Sequence, residues 1–310
     1  MLRAFSFSRL HFGGSMDRVI ITAPAKINLH LEIGARRADG YHDVESVFQA
    51  LRIADLVDIR LADRLSLVCS PEMGLIETEN LGYRAAQALG HRLGRDPDVS
   101  ISIRKVLPAG AGLGGGSADA AAVLVGMAIL WGIDPADPLL VSVAAELGAD
   151  VPFFLAGGAG LYTGRGDEFV RALPHLSMPV ALVKPPEPVS TAQAYAAFDR
   201  LPSTPTPDIS VLEEALASGD LAAVARATFN NMTQASIDVV PSVGEALALC
   251  QSKTGVLGSL VAGSGSAVCA LCESDGAAER VAEAASQLGW WSAATRTSSH
   301  GVISIGRNPS

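Results

Sequence analysis

The sequence predicts an α+β protein with two lobes. Its 310 residues suffice for two hydrophobic cores, 49% of them are hydrophobic, and strand-like and helix-like segments alternate along the chain. The proline-rich stretch 184–188 and the polar segment 201–208 indicate connections in the second half. We therefore predict a first lobe over residues 16–175 and a second over residues 176–310, preceded by a dispensable extension over residues 1–15.

Two strands open the first lobe. Residues 19–33 alternate between apolar and polar side chains, which is the period of a strand with one buried face. The polar face of this predicted strand carries Lys26, Asn28, His30 and Glu32. A loop over residues 36–42, which contains Asp39-Gly40, separates it from a second strand over residues 44–59.

The remaining segments divide into helices and strands by their apolar period. In the first lobe, residues 80–93, 117–131 and 138–147 predict helices, and residues 101–106 predict a strand. The helix over residues 117–131 is apolar on nearly every side, so we expect it to lie buried between layers. In the second lobe the predicted helices cover residues 211–217, 221–229, 243–251 and 276–288, and the predicted strands cover residues 180–184, 259–262 and 267–272.

Composition narrows the function classes. The chain has 23 basic and 32 acidic residues, a net charge of −9, so no overall positive field attracts nucleic acid or an anionic membrane. No apolar run of about 18 residues predicts a membrane span. Cys269 and Cys272 form a C-x-x-C within a predicted strand, where residues three apart point to opposite faces, and no second pair completes a zinc site. We expect buried thiols and a soluble, cytoplasmic protein that binds small molecules.

The segment from Leu107 to Asp119 is the most informative for function. Five glycines among residues 110–116 precede a helix, so backbone can approach a ligand closely while the helix start offers unpaired N–H groups to an anion. A turn needed only for packing is the weaker interpretation, because permissive backbone costs entropy without burying anything. The residues predicted to bind nucleotide phosphates are Pro108, Ala109, Gly110, Ala111, Gly112, Leu113, Gly114, Gly115, Gly116 and Ser117.

Two better-known phosphate motifs fit this segment less well. The Lys-Ser/Thr that closes a Walker A loop is absent, which excludes an ordinary P-loop. Gly110-x-Gly112-x-x-Gly115 does match the dinucleotide fingerprint. In that fold an acidic residue ends a second strand about 20 positions further on, whereas here the corresponding Asp134 lies in a turn. A dinucleotide-dependent oxidoreductase therefore stays only as an alternative.

Asp150 and Lys26 each have two interpretations on sequence alone. Asp150 stands at the entry to an apolar segment, where an aspartate usually caps a helix, but a carboxylate can also accept the proton of a substrate hydroxyl during phosphoryl transfer. Lys26 is either solvated on its strand or placed to neutralise charge on a transferring phosphate. Spacing does not choose between these interpretations.

Three dispersed motifs resemble those of the GHMP kinase superfamily. They are Pro24-Ala-Lys-Ile-Asn-Leu29, the glycine segment and Ala262-Gly-Ser-Gly-Ser266, in the order and approximate separation typical of that superfamily. The resemblance implies a GHMP kinase fold, with an N-terminal lobe like ribosomal protein S5 domain 2 and a ferredoxin-like C-terminal lobe. It also implies ATP-dependent phosphorylation of a small hydroxylated metabolite bound in the cleft between the lobes.

Four further segments resemble one branch of the superfamily, whose substrate is a cytidine diphosphate derivative used in non-mevalonate isoprenoid synthesis. These segments are 36–42, 114–119, 148–154 and 164–167. The resemblance makes Asp150 the catalytic base and Lys26 its charge-stabilising partner, with Asn28 nearby on the same strand face. Stacking and edge hydrogen bonds suit a nucleobase. The residues that the resemblance assigns to the cytidine ring are Tyr41 and His42, with Tyr195 as a second aromatic wall.

Magnesium is expected with ATP, because a compact dication offsets the charge of the phosphates. The metal ligands are not evident from the sequence, and Ser117 is the one candidate. Asn230-Asn-Met-Thr233 departs from the Asn-Asp-Leu-Glu frequent in the family, and Ala118 replaces a frequent serine. The alternatives are a mevalonate-type or homoserine-type kinase, the oxidoreductase, and a nucleotide-binding regulator without catalysis.

Overall fold

Two long antiparallel strands form the base of the first lobe. The computed structural model describes residues 16–72, 74 and 76–309, and the predicted extension over residues 1–15 lies outside them. Strand β1 (Met16–Arg36) pairs with β2 (His42–Leu61) along nearly its whole length. Both predicted strands are therefore confirmed, and each is longer at both ends than the apolar alternation indicated.

Helices cover one face of the sheet that these strands begin. The remaining elements of the first lobe are β3 (Ser66–Ser70), α1 (Leu81–Leu93), β4 (Val99–Arg104), α2 (Gly115–Leu130), α3 (Pro138–Leu147), α4 (Val151–Ala156), β5 (Ala159–Thr163) and β6 (Glu168–Leu173). Every residue of α2 from Ala118 to Ala128 is buried, which confirms the predicted helix between layers. Its small side chains let the sheet approach closely, since a side chain at Gly126 would clash with Ile59.

The second lobe contains a separate four-stranded antiparallel sheet. The helices and strands of the second half of the chain are β7 (Pro179–Lys184), α5 (Thr191–Phe198), α6 (Ile209–Ser218), α7 (Leu221–Ala227), β8 (Phe229–Asn230), α8 (Thr233–Val239), α9 (Ser242–Gln251), β9 (Val256–Val261), β10 (Val268–Cys272), α10 (Asp275–Gln287), β11 (Trp291–Arg296) and β12 (Ile303–Pro309). The strand order β11-β7-β10-β9 is that of a ferredoxin-like βαββαβ unit. The α+β class is confirmed.

Two strands from the second half of the chain return to the first sheet. That sheet has the order β12-β1-β2-β4-β3, with β5 beside β2 and β8 beside β1. A division at residue 175 therefore separates β8 and β12 from the sheet to which they belong. Apolar residues of β1 and β2 also pack against β7, β10, α6 and α7 in a shared core. The two lobes are joined by strand pairing as well as by packing.

The polar face predicted for β1 is interrupted by a β-bulge. The bulge lies between Asn28 and His30: Asn28 pairs with Phe48, whereas Leu31 pairs with Ser46, on the same face of β2. Lys26 and Asn28 therefore share a face with Leu31, and His30 and Glu32 lie on the other face. The prediction of one continuous polar face was wrong, because alternation read from sequence cannot detect an extra residue in the ladder. Nor is this a solvated face, since Lys26 and Asn28 are buried.

The cysteines behave as expected for buried thiols. Cys269 and Cys272 are reduced and buried in β10, and Cys250 is buried beside them, while Cys69 is half-buried. Burial raises the pKa of the Cys272 thiol to about 11. A protonated thiol is a poor metal ligand, so this pair has the chemistry of core residues.

Candidate active site

The glycine-rich loop before α2 is fixed to both lobes through its backbone. The Lys26 N–H of β1 donates to the Leu113 carbonyl at 2.9 Å, and the Ala267 N–H of the second lobe donates to the Ala111 carbonyl at 3.1 Å. Gly112 has a φ of 75°, and a side chain there would start 1.9 Å from the Ala262 carbonyl oxygen. Only glycine fits this approach of the loop to residues 262–266.

The loop presents backbone rather than side chains to the cleft. Gly114 caps α2 in the left-handed region without a side-chain hydrogen bond, which leaves the first-turn N–H groups without a capping side chain. Ala111 and Leu113 are buried in the shared core, so only their main-chain atoms can serve a ligand. A side chain at Gly115 would point toward Leu107 and Lys105 inside the protein. The geometry is that of an anion cradle at a helix N-terminus.

Lys26 and Asp150 form an ion pair beside the glycine-rich loop. The Lys26 ammonium lies 3.6 Å from the Asp150 carboxylate and donates to Asn28 Oδ1 at 3.0 Å. Asn28 donates in turn to Ser46 Oγ at 2.8 Å, and Ser46 donates to the His30 carbonyl at 2.8 Å. The lysine side chain is 6% exposed and the aspartate 32% exposed. The arrangement is a fixed, buried ammonium beside a carboxylate that a ligand can reach.

Asp150 does not act as a conventional helix cap. It precedes α4, but its backbone is already helical and its side chain makes no capping hydrogen bond. By contrast, Asp137 caps α3 by accepting from the Leu139 N–H at 2.9 Å. The capping interpretation of Asp150 thus lacks its hydrogen bond, and the carboxylate faces Lys26 instead.

The loop over residues 262–266 closes the site from the second lobe. A side chain at Gly263 would start 3.6 Å from both Lys26 Nζ and Asn28 Oδ1. Asn230 holds this loop by donating to the carbonyls of Val261 and Gly263, each at 2.8 Å. Asn230, the first residue of the segment that departs from the family pattern, therefore positions this loop.

A cavity of about 820 Å³ lies beside the segment that immediately precedes Asp150. Its walls come from the loop before β2, from the end of α3 with Gly148 and Ala149, and from α5. His42 and Tyr195 line it with their rings 5.2 Å apart and tilted by 37°. Burial, with a smaller contribution from the Asp150 charge, raises the pKa of Tyr195. The structure thus places His42 and Tyr195 in one pocket next to Asp150.

His42 is oriented by a residue that the sequence did not reveal. Its Nε2 lies 2.8 Å from Asp199 Oδ1, and its ring is 7% exposed. The Phe198 ring meets it edge-on at 6.2 Å. Asp199 is far from His42 in the chain and ends α5, so no local pattern could have paired them. Tyr41, in contrast, is 57% exposed and lies under the Arg165 guanidinium at 5.3 Å.

A buried cluster of charged side chains holds the start of the glycine loop. Lys105 donates to Asp55 and to Asp119 Oδ2, and Asp55 Oδ1 accepts the N–H of Leu107 at 2.8 Å, at the start of the loop. Burial raises the pKa of Asp119, against the pull of Lys105. Burial works against the charge on Lys105, yet the two carboxylates raise the pKa of its ammonium. Sequence reasoning missed this cluster because its members lie in three separate elements.

The two-lobed fold, with a glycine cradle between the lobes and a lysine on the first strand, is the architecture of the GHMP kinases. Residues 80–158 match the family model described as GHMP kinases N terminal domain, and residues 212–289 match the one described as GHMP kinases C terminal. Among the described residues, no helix combines the length and apolar character that a membrane crossing needs.

Related proteins of known name narrow the family within the GHMP kinases. The chain is 41% identical over 271 residues to the 4-diphosphocytidyl-2-C-methyl-D-erythritol kinase of Mycolicibacterium gilvum (strain PYR-GCK), covering 84% of each chain. It is 40% identical over 273 residues to the kinase of the same name from Nocardia farcinica (strain IFM 10152), covering 85% of this chain and 88% of the relative. The chain therefore belongs to the 4-diphosphocytidyl-2-C-methyl-D-erythritol kinase family, within the GHMP kinases.

Solved structures agree with this placement. A crystal structure of 4-(cytidine 5'-diphospho)-2C-methyl-D-erythritol kinase superposes with a TM-score of 0.77 at 33% identity, covering 90% of this chain and 98% of that one. The homoserine kinase from Cytophaga hutchinsonii ATCC 33406 gives a TM-score of 0.75 at 21% identity, covering 96% of this chain and 100% of that one. At that identity the second similarity supports only the shared fold.

Proposed function

We propose that this protein transfers the γ-phosphoryl group of ATP to the 2-hydroxyl of 4-diphosphocytidyl-2-C-methyl-D-erythritol, giving ADP and the 2-phosphate in non-mevalonate isoprenoid precursor synthesis. One observation carries the proposal: the Lys26–Asp150 pair lies beside the glycine loop, and a cavity walled by His42 and Tyr195 reaches Gly148 and Ala149, the two residues before Asp150. The cradle suits the triphosphate, and the cavity suits a nucleobase. The names of the relatives supply the identity of the substrate.

Each residue of the pair has a distinct part in the proposed reaction. Asp150 orients the substrate hydroxyl and accepts its proton as the oxygen bonds to the γ-phosphorus. The bond from that phosphorus to the bridging oxygen breaks, and ADP leaves with the electron pair. Lys26 keeps Asp150 and the transferring group in register and offsets the developing negative charge. Asn28 and Ser46 hold the ammonium in place through their hydrogen bonds.

Mg²⁺ is proposed as the ion that accompanies ATP. It usually takes one or two protein oxygens together with substrate phosphates. The half-buried Ser117 in the first turn of α2 and the partly exposed Asp150 carboxylate fit that modest requirement. In the described part of the chain, the one cluster of three side chains able to ligate a metal lies on β1 and β2, apart from the loop. When bound, the ion would neutralise phosphate charge, while the protein positions the hydroxyl.

The substrate's cytosine is assigned to the cavity beside α5. His42 is held by Asp199 and flanked by Tyr195, so the imidazole edge and the aromatic face are both fixed before a ligand arrives. Tyr41 lies at the mouth of the cavity under Arg165. This division gives the cytosine to the buried His42 and the half-buried Tyr195 and leaves the exposed Tyr41 to close over it.

A coupled assay of ADP release tests the proposal. The purified protein should release ADP with 4-diphosphocytidyl-2-C-methyl-D-erythritol and show at most background release with mevalonate or homoserine. Stronger turnover with either of those substrates would transfer the assignment to a sister kinase. A change in nicotinamide absorbance without ADP release would favour the oxidoreductase. That alternative has little structural support, since α2 is followed by α3 rather than by the second strand of a dinucleotide fold.

A further inference from the structure

The face of the β1–β2 hairpin opposite Lys26 carries a second cluster of polar side chains. Glu32 of β1 and Glu45 of β2 are directly paired, so their side chains project from the same face. His30 lies two residues before Glu32 and shares that face. Ser46, the neighbour of Glu45, points to the other face, where it bonds Asn28. The cluster of His30, Glu32 and Glu45 is therefore separated from the catalytic lysine by the thickness of the sheet.

The three side chains converge closely enough to share one ion. One ring nitrogen of His30 and one oxygen from each glutamate lie within 4.8 Å of one another. His30 is 1% exposed, and its Nε2 is buried with no hydrogen-bond partner in the described part of the chain. The Phe229 ring, 5.4 Å away, limits rotation of the imidazole. A buried nitrogen without a partner is costly, so its place in an acidic cluster indicates an absent ligand.

The charges around the cluster favour a cation. Besides Glu32, the acids whose charges act on Glu45 are Glu213 and Asp208, and the one opposing charge is Arg171. Arg171 is itself paired with Glu213. Burial first, and then these like charges, raise the pKa of Glu45. Glu32 and Glu45 lie directly opposite each other in the strand pair, and a bound cation would relieve their repulsion.

We propose that His30, Glu32 and Glu45 bind one divalent first-row transition metal ion, with Zn²⁺ as the best-fitting member of that class. One imidazole and two carboxylates are ligands that Zn²⁺ accepts, whereas Mg²⁺ and Ca²⁺ prefer oxygen alone. Ligand atoms around tetrahedral zinc lie about 3.4 Å apart, from bond lengths near 2.1 Å. Rotation of the two half-buried glutamates closes the remaining gap, and water completes the coordination.

A hydrogen bond from outside the cluster orients one of the ligands. The Thr206 hydroxyl donates to Glu32 Oε1 at 2.7 Å. Partners of this kind typically contribute about 10–100-fold to metal affinity. Thr206 belongs to the connection between α5 and α6, so a bound ion would tie that connection to the hairpin. The ion has a structural role, independent of ATP and of the proposed reaction.

Zn²⁺ titration of the metal-stripped protein, without nucleotide or substrate, tests the proposal. Calorimetry should show one ion bound per chain and a rise in melting temperature on binding. Glu45→Gln should lower the affinity by more than about 100-fold, because it removes a ligand, and Thr206→Val should lower it by about tenfold. Glu214→Gln, on the exposed side of α6, is the matched control and should bind as wild type does.

Two results would overturn the site. The first is a wild-type protein that binds no stoichiometric Zn²⁺. The second is equal affinity in Glu45→Gln and Glu214→Gln, which would put the ion elsewhere. Co²⁺ absorption gives a second readout, because a nitrogen and oxygen ligand set has a visible spectrum that Glu45→Gln should alter. Melting of each metal-free variant shows whether it is folded, and ADP release in wild type without Zn²⁺ keeps the result separate from the proposed kinase activity.

Discussion

The proposed nucleotide half and the proposed substrate half of the cleft are built from different parts of the chain. The nucleotide half is mostly main chain: the loop before α2 is held by backbone bonds from Lys26 and Ala267, and the side chains of Ala111 and Leu113 are buried. The substrate half is made of side chains from distant segments, such as His42 and Asp199. Changes in the first half should therefore affect ATP binding and stability together, whereas changes in the second should affect one substrate selectively.

The largest effect is expected where the two halves meet. Asp150→Asn and Lys26→Met should each lower kcat by about 10²–10³-fold with little change in either KM, since base and electrostatic contributions have that size. The double variant should resemble the worse single variant, because each group acts through the other. Steady-state kinetics with both substrates measure this.

Asp137→Asn is the matched control for that pair. Asp137 is a true helix cap, and asparagine caps as well, so this variant should keep turnover and melting temperature. If Asp150→Asn proves equally silent, Asp150 has only a structural role and the catalytic assignment is wrong.

The substrate half should respond to His42→Ala with a raised KM for the cytidine substrate alone. Loss of one stacking or hydrogen-bonding partner typically costs about 1–3 kcal/mol, or roughly 5- to 150-fold in affinity. Asp199→Asn should show a smaller rise, because it weakens only the orientation of the ring. The measurement is KM for each substrate at saturation of the other.

The exposed His91 on α1 provides the control for this prediction. His91→Ala should leave both KM values unchanged. Equal increases for ATP and the cytidine substrate in His42→Ala would indicate general damage and would erase the contrast between the two halves.

The nucleotide half should respond to Gly112→Ala with losses in both stability and ATP affinity. The added Cβ would meet the Ala262 carbonyl, so the loop must move away from the second lobe. Gly132→Ala is the matched control: its φ is 71° and nothing lies within 4 Å of the new Cβ, so it has only the backbone strain of about 1–2 kcal/mol. Denaturant unfolding and ATP titration should separate the variants, and identical behaviour would mean that the contact is dispensable.

The same contrast explains how much the sequence could predict. The glycine cradle was found because backbone recognition leaves a compositional signal in one short segment, and α2 was found because its apolar character is continuous. β8 was missed because it has only two residues, and β12 was missed because Gly306, Arg307 and Asn308 interrupt its apolar alternation. The bulge at Asn28 and the pairing of His42 with Asp199 depend on tertiary register, which local periodicity does not contain.

Lys26 and Asp150 were only partly predictable from the sequence. Each residue type suited catalysis, but their separation in the chain could not show that the two charges lie 3.6 Å apart. Resemblance to a family supplied that expectation. No family resemblance pointed to the cluster of Lys105, Asp55 and Asp119, and only the structure shows that it supports the glycine loop.

The smallest predicted effect is a pH dependence in the support beneath the nucleotide half. Burial raises the pKa of Asp119, so between about pH 4, where a free aspartate loses its proton, and that higher pKa the folded protein holds a proton that the unfolded chain has released. Stability falls with rising pH wherever the folded state binds more protons. The contribution of Asp119 to stability should therefore decrease as pH rises through this range.

Asp119→Asn removes this titration while keeping a neutral side chain of similar shape. Its melting temperature relative to wild type should increase from pH 5 to pH 8, by about 2–4 °C for each kcal/mol of linked free energy. Asp63→Asn, in an exposed turn, should show no such trend. One ammonium cannot neutralise two buried carboxylates, so Asp119 keeps its proton in the folded protein. If the melting difference instead shrinks as pH rises, attraction to Lys105 outweighs burial, and the buried cluster stabilises the loop as an ion pair rather than through a retained proton.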